Sequence, residues 1–202
     1  DHLTDLYRMV ESEVTSGHQV YWVCPLVEES ETLDIASAVS KSEELRLIFP
    51  DLTVGLIHGR MKWSEKDAIM QEFIAGNIDI LTSTSVIEVG VDNPNATIIV
   101  IEGSERFWLS QLHQFRGRVG RGQDQSYCYL LTSEDRRKTE RLKAMEETND
   151  GFILSEIDLE LRGPGEVYGL RQSGVPDFKI ADITDLEKVS DIREAIITYL
   201  TK

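Results

Sequence analysis

Long apolar runs are missing from this 202-residue sequence. None approaches the ~18 residues of a membrane span, and the opening stretch DHLTDLYRMVESEV has neither the basic nor the apolar region of a secretory leader. The expectation is a protein without membrane contact, working inside the cell. Cysteine is nearly absent too. Cys24 and Cys128 stand alone in the apolar segments YWVCPLV and SYCYLL, far from any paired spacing, which argues against a disulfide framework and predicts no metal site. Both read as small buried hydrophobes. Positive charge is scarce, with 21 basic against 36 acidic residues and a net charge of −15, so the chain is no general polyanion binder and any nucleic-acid contact must be local. A self-sufficient NTPase needs a GxxxxGK loop followed by Ser or Thr, and an acid beside the metal. The sequence has no Gly-Lys pair and no DExx run.

What is present fits a globular protein, since 41% hydrophobic and 28% charged residues are ordinary values and the length allows one good-sized domain with an appendage. From Gln19 to Thr132 short β-branched runs alternate with helical periods. QVYWVCPLV, TVGLIHG, DILTS, TIIVIEG and QSYCYLLT read as five strands. The stretch to Phe49 reads as a helix burying Leu33, Ala36, Val39 and Leu47. Ser64, three before Asp67, suggests a capping box for a second helix, with Ile69 and Phe73 on one face and Gly76 as its stop. Phe107, Leu109, Leu112 and Phe115 suit a third. Strands alternating with helices predict a parallel, doubly wound α/β sheet. The charged segment after Thr132 has no following strand, which predicts a division into 1–134 and a helical, loop-rich extension over 135–202. In that extension Thr184 and Glu187 form a capping box before a last helix, whose Leu186, Ile196 and Leu200 could drive self-association if left uncovered.

Three segments carry chemistry. HGRM, His58 to Met61, follows the second strand. Thr82 to Ala96 combines hydroxyls at Thr84 and Ser85 with IEVGVD, in which hydroxyls and free amides suit phosphate while Asp92 suits a ribose hydroxyl or an arginine; a polar turn around Asp92 and Pro94 is the plain alternative. QFRGRVGR, Gln114 to Arg121, is the strongest of the three. Arg118 and Arg121 lie three apart, near enough on one helical face to meet the same anion, with Gly117 and Gly120 permitting close approach. Guanidinium groups spread phosphate charge well in a transition state. The competing reading is a solvated or DNA-facing helix end, for Arg106, Arg116, Arg118 and Arg121 together make the one basic stripe of the chain.

TSVIEVGVDNPNA followed by SERFWLSQLHQFRGRVGRG resembles motifs V and VI of superfamily 2 helicases, and in particular of the RecG family of DNA translocases. HGRM resembles the motif before them, QVYWVCPLVEESE resembles motif IV, and GFILSEIDLELRGPGEVYGLRQSGVPDFKIA is similar to the translocation motif that this family shares with the transcription-repair coupling translocase. The resemblance implies a RecA-like second lobe cut from a longer polypeptide, which alone should not turn over ATP. It implies that ATP and Mg2+ are held mainly by the first lobe, that Arg118 and Arg121 act as arginine fingers, and that Gly90, Asp92 and Gln114 help set the nucleotide site. His58, Gly59, Arg60, Thr84 and Ser85 would hold the DNA backbone. Arg162, Glu166 and Gln172 would be polar joints of a lever moved by lobe closure. Partners would be double-stranded and branched DNA, at stalled forks and recombination intermediates, and the first lobe itself; the setting would be bacterial cytoplasm, at the nucleoid. The alternatives are the corresponding module of the coupling translocase and a non-enzymatic interaction module with the same fold. Trp63, Trp108 and Asn93 depart from the family pattern, the first two being bulkier than usual and the third polar where an apolar residue is usual.

Overall fold

The structure is a computed structural model that describes residues 2–25, 31–84, 93–133 and 139–162. The five β-branched runs form β1 (Gln19–Val23), β2 (Val54–Ile57), β3 (Ile80–Ser83), β4 (Ala96–Glu102) and β5 (Tyr127–Leu131). They pair in the order β2-β3-β1-β4-β5, parallel throughout. Every residue of β1 is buried, as expected for a central parallel strand covered on both faces.

Side-chain alternation along the strands divides the core in two. Val20, Trp22 and Cys24 of the β1 segment pack with Leu6, Val10 and Val14 of α1 (His2–Thr15) and with Ala38 and Leu45 of α2 (Glu31–Ile48). Tyr21 and Val23 point the other way, to Met70 and Phe73 of α3 (Trp63–Ile74) and to Leu109, Leu112 and Phe115 of α4 (Leu109–Arg116). The result is the doubly wound α/β sheet.

Two local expectations need correcting, and one helix was not foreseen. On α2, Ala36 is exposed, Val39 half-buried and Leu47 84% exposed; Ala38, Ser42, Leu45 and the following Phe49 face the sheet instead. Apolar residues occur all round this helix, so its sequence did not fix which face is inward. The first turn of α3 is capped two residues earlier than the Ser64–Asp67 pair, because the Glu65 carboxylate accepts the Lys62 backbone N–H at 2.9 Å. α1 was not anticipated at all, although Leu6, Val10 and Val14 recur at helical spacing. Gly76, at φ +81°, does end the run after α3.

Beyond β5, α5 (Glu140–Glu147) and α6 (Gly151–Arg162) turn back against α4. Thr139 caps α5 through its hydroxyl, and the Asp150 carboxylate accepts the Phe152 N–H at 2.8 Å at the start of α6. Leu142, Ala144, Met145 and Leu154 join the core around Phe107 and Phe115. Among the described residues no helix is long and apolar enough to cross a membrane.

Candidate functional site

The sheet separates the predicted site residues into two groups at opposite edges. His58, Gly59 and Arg60 follow β2 at the carboxyl ends of the strands, beside Thr84, which follows the neighbouring β3. The Thr84 N–H donates to the Ile57 carbonyl at 3.3 Å, and a turn is closed by Met61 N–H to the His58 carbonyl at 3.2 Å. Lys66 reaches back from α3 and donates to the Gly59 carbonyl at 2.9 Å, which fixes the loop. Arg60 is exposed, whereas Thr84 is buried. His58 Nδ1 and the hydroxyls of Thr82 and Ser83 are buried with no hydrogen-bond partner among the described residues.

The arginine segment sits at the amino edge. α4 ends at Arg116, the Gly117 N–H closing its last turn on the His113 carbonyl at 3.0 Å, and Gly120 takes a left-handed φ of +77°. Arg118 and Arg121 therefore do not share a helical face; the two glycines end the helix between Arg116 and Arg121, and both arginines stand on the turn that follows. Arg121 is exposed and its Nε donates to the Gly117 carbonyl at 2.8 Å. Two contacts fix this loop beside the starts of β1 and β4. A Cβ on Gly122 would stand 2.7 Å from the Pro94 carbonyl oxygen, so only glycine fits there, and Asp124 lies 3.6 Å from His18. Gln114, exposed in the last turn of α4, belongs to this edge. Gly90, Asp92, Ser85, Glu166, Gln172 and the apolar set Leu186, Ile196 and Leu200 lie outside the described residues, as does the Thr184–Glu187 capping box. Arg162 is the last residue of α6, and its side chain is likewise outside them.

The basic stripe is not one surface. Arg106 stands at the carboxyl edge, 3.8 Å from the buried carboxylate of Glu105. Arg116 is turned into the protein, where one guanidinium nitrogen donates to the carbonyls of Met145 at 2.8 Å and Thr148 at 2.9 Å, and another meets His113 Nδ1 at 3.1 Å. Those carbonyls are the open end of α5, where a cation is favoured by both hydrogen bonding and the helix dipole. Burial pulls the pKa of Arg116 below the usual arginine value, yet a guanidinium remains charged there. At the other end of α4, Asp158 of α6, only 5% exposed, accepts the Leu109 N–H at 3.3 Å. Gly151 packs so close to His113 that a Cβ would stand 2.7 Å from its Nε2.

The helix leading into Arg118 and Arg121 is thus clamped at both ends by the α5–α6 hairpin. Sequence reading missed this clamp by assigning Arg116 to the surface. Its one visible signal was Asp158, an acid four residues after Leu154 on the buried face of α6. A cleft of about 780 Å³, lined by His113, Gly117, Gly120, Cys128 and Met145, runs between the arginine loop and the hairpin.

Two of the three departures have a structural account. Asn93 is buried and donates to Gln19 Oε1 at 3.0 Å, while its own oxygen accepts the Asn95 N–H at 3.0 Å. Gln19 in turn donates to the Phe73 and Ile78 carbonyls, so the polar residue completes a buried network at the foot of β1. Trp108 lies under Arg141 of α5, whose guanidinium carbon is 4.8 Å from the ring centroid. Both cysteines are free thiols, and burial pushes Cys24 up and Cys128 up to about 11.

Comparison with known proteins agrees with this fold. The family described as "Helicase conserved C-terminal domain" matches residues 1–123, and "ATP-dependent DNA helicase RecG, domain 3, C-terminal" matches residues 148–199. The "ATP-dependent DNA helicase RecG" of Synechocystis sp. is 50% identical over 98% of the chain and 24% of its own length. That of Escherichia coli K12 is 52% identical over 87% of the chain and 26% of its own length. The chain therefore spans about a quarter of these relatives. A structure of RecG bound to a three-way DNA junction superposes with a TM-score of 0.71 at 43% identity, covering 94% of the chain and 24% of that one. Domain 2 of the DEAD-box helicase Mss116p, bound to an RNA duplex, shares the fold at a TM-score of 0.52 and 20% identity, over 73% of the chain and 56% of that one.

Proposed function

The chain belongs to the helicase conserved C-terminal domain family, with a RecG carboxyl-terminal segment behind it, and on that premise we propose that it is the second motor lobe of an ATP-dependent DNA translocase. The observation that carries the proposal is the pair Arg118 and Arg121, held on a glycine-flanked loop at the amino edge of the sheet, away from the basic loop at Arg60. One edge then serves nucleotide and the other DNA.

ATP with Mg2+, bound on the first lobe, supplies the phosphoryl group and the free energy of its hydrolysis. On closure Arg121 and Arg118 approach the terminal phosphate from this side and neutralise charge that develops on its oxygens, an arrangement worth about 10³- to 10⁵-fold in related phosphoryl transfers. Closure also excludes water, which strengthens each guanidinium contact. The Arg121 bond to the Gly117 carbonyl must be exchanged for the phosphate, and the Gly120 turn lets it swing. Gln114, with Gly90 and Asp92, steers the approach. In this reading the Mg2+ ligands come from the first lobe, as the family resemblance implies.

At the carboxyl edge the Gly59 and Arg60 loop, with His58, Thr84 and Ser85, tracks the phosphodiester backbone without reading sequence, in keeping with an acidic lobe whose cations are local. The division near residue 134 separates the motor from the part that transmits its motion. The clamp on α4 supports that reading, since movement of the arginine loop is handed to α5 and α6, and from there to Arg162, Glu166 and Gln172. The substrates are double-stranded and branched DNA at forks and recombination intermediates in the bacterial nucleoid. In the test, ATP turnover is measured on branched DNA for the full-length protein and its Arg121→Ala variant. A loss of about a hundredfold or more in kcat with little change in half-saturating ATP is expected. Near-normal turnover would return Arg121 to ordinary surface charge, and turnover by the 202-residue chain alone would contradict the half-motor reading.

A further inference from the structure

Of the three residues that depart from the family pattern, Asn93 and Trp108 are explained by Gln19 and Arg141, but nothing in the fold explains Trp63. Its side chain opens α3 directly after the DNA-facing loop and is 65% exposed. Among the described residues no aromatic ring or cation is stacked on it, in contrast to Trp22, which is fully buried and bonded to Glu102, and to Trp108 under Arg141. The local structure does not need it either. The first turn of α3 is capped by Glu65 and the loop is held by Lys66, both through the backbone. A single exposed apolar side chain is ordinary on a protein surface, as Leu47 and Phe152 are here, so it is the position of Trp63 beside this loop and the charges around it that carry the argument.

Charge says what that surface meets. In a chain of net charge −15, His58 to Asp67 holds Arg60, Lys62 and Lys66 against Glu65 and Asp67, and the Glu65 carboxylate is turned back onto its own helix. An aromatic face set among cations in an otherwise acidic protein is the combination by which proteins bind open nucleic-acid strands, cations on phosphate and the ring on a base. The segment is net basic by one charge in an otherwise acidic chain, which favours phosphate over an acidic or neutral protein surface.

Resting on the DNA-facing reading of this loop, we infer that Trp63 stacks on an unpaired or terminal base and gives the lobe a preference for DNA with an open stack over intact duplex. Inside a continuous duplex each base face is covered by its neighbours, so an indole finds a partner only at a branch, gap or end. Arg60 and Lys62 meet phosphate on either kind of DNA. Specificity thus comes from the ring and general affinity from the cations.

The test is fluorescence anisotropy of two labelled DNAs, an intact duplex and the same duplex carrying a single-stranded branch, titrated with the 202-residue chain and its Trp63→Ala, Trp63→Phe, Trp63→Leu and Arg60→Ala variants. Because Trp63 is exposed, its replacements should fold, and circular dichroism checks that they do. Trp63→Ala and Trp63→Leu are expected to weaken the branched DNA by about tenfold and leave the duplex unchanged, while Trp63→Phe keeps most of the preference because it keeps a ring. Equal weakening on both DNAs, or none on either, would overturn the inference; the second result would give the indole to another part of the full-length protein. Arg60→Ala should weaken both. If it weakens neither, the loop does not face DNA, and the inference falls with that reading.

Discussion

Replacing Arg116 with alanine removes the bonds that join α4 to the end of α5 without touching the sheet. Two charge-assisted bonds to carbonyls are lost, at 2.8 and 2.9 Å, together with the contact to His113. Hydrogen bonds to a charged group contribute about 1.5–3 kcal/mol each when measured by deletion, but the site is only partly buried and water can reach the freed carbonyls, so the sum is discounted to about 2–3 kcal/mol. That cost should fall on the hairpin. By hydrogen exchange, amides of α5 and α6 should exchange about 30- to 150-fold faster, since 1.4 kcal/mol is a factor of ten, and amides of β1 and β4 that exchange only through global unfolding should quicken by no more than the same factor. Arg116→Lys should recover part of the protection, because an ammonium reaches the carbonyls as a point charge but cannot reproduce the fork. An unchanged hairpin in Arg116→Ala would refute the clamp.

Asn93→Leu should destabilise the chain by about 1–3 kcal/mol in urea unfolding, because the Asn95 N–H loses its acceptor and Gln19 Oε1 keeps only the 3.3 Å contact to Asn95; a neutral result would show that the network at the foot of β1 carries no stability. Cys128, with its thiol raised from 9.0 to about 11 by burial, should alkylate about a hundredfold more slowly at pH 8 than a free cysteine, and unfolding should expose both thiols. The sign of the linked stability follows: its contribution is complete below pH 9.0, the ordinary thiol value, and is lost as pH rises through about 11. Rapid labelling of the native chain at pH 8 would contradict the buried placement.

How legible the sequence was depended on how local the cause was. Strands such as TIIVIEG announce themselves because a central parallel strand is apolar on both faces, and all five were found. The inward face of α2 was not, since Ala36, Val39 and Leu47 are as apolar as the residues that are buried. Spacing placed Arg118 and Arg121 on one helix, but two glycines decide otherwise, and the left-handed φ of Gly120 belongs to the folded turn. Arg116 is chemically indistinguishable from its neighbours in QFRGRVGR; only the end of α5, some thirty positions away, turns it from surface charge into a clamp. The opposition of the two edges was within reach, because in a parallel sheet a loop after β2 and a loop before β5 lie at opposite ends of the strands, but chain order alone did not draw attention to it.

That opposition is the central claim, and it is tested most directly by titrating branched DNA into the full-length protein at saturating ATP and reading turnover for Arg121→Ala and Arg60→Ala together. The account predicts that Arg121→Ala lowers the plateau by about a hundredfold or more at an unchanged half-saturating DNA concentration, while Arg60→Ala raises that concentration and leaves the plateau near normal. If both variants shifted the same parameter, the two edges would not divide nucleotide from DNA, and the assignment of the arginine loop would fail.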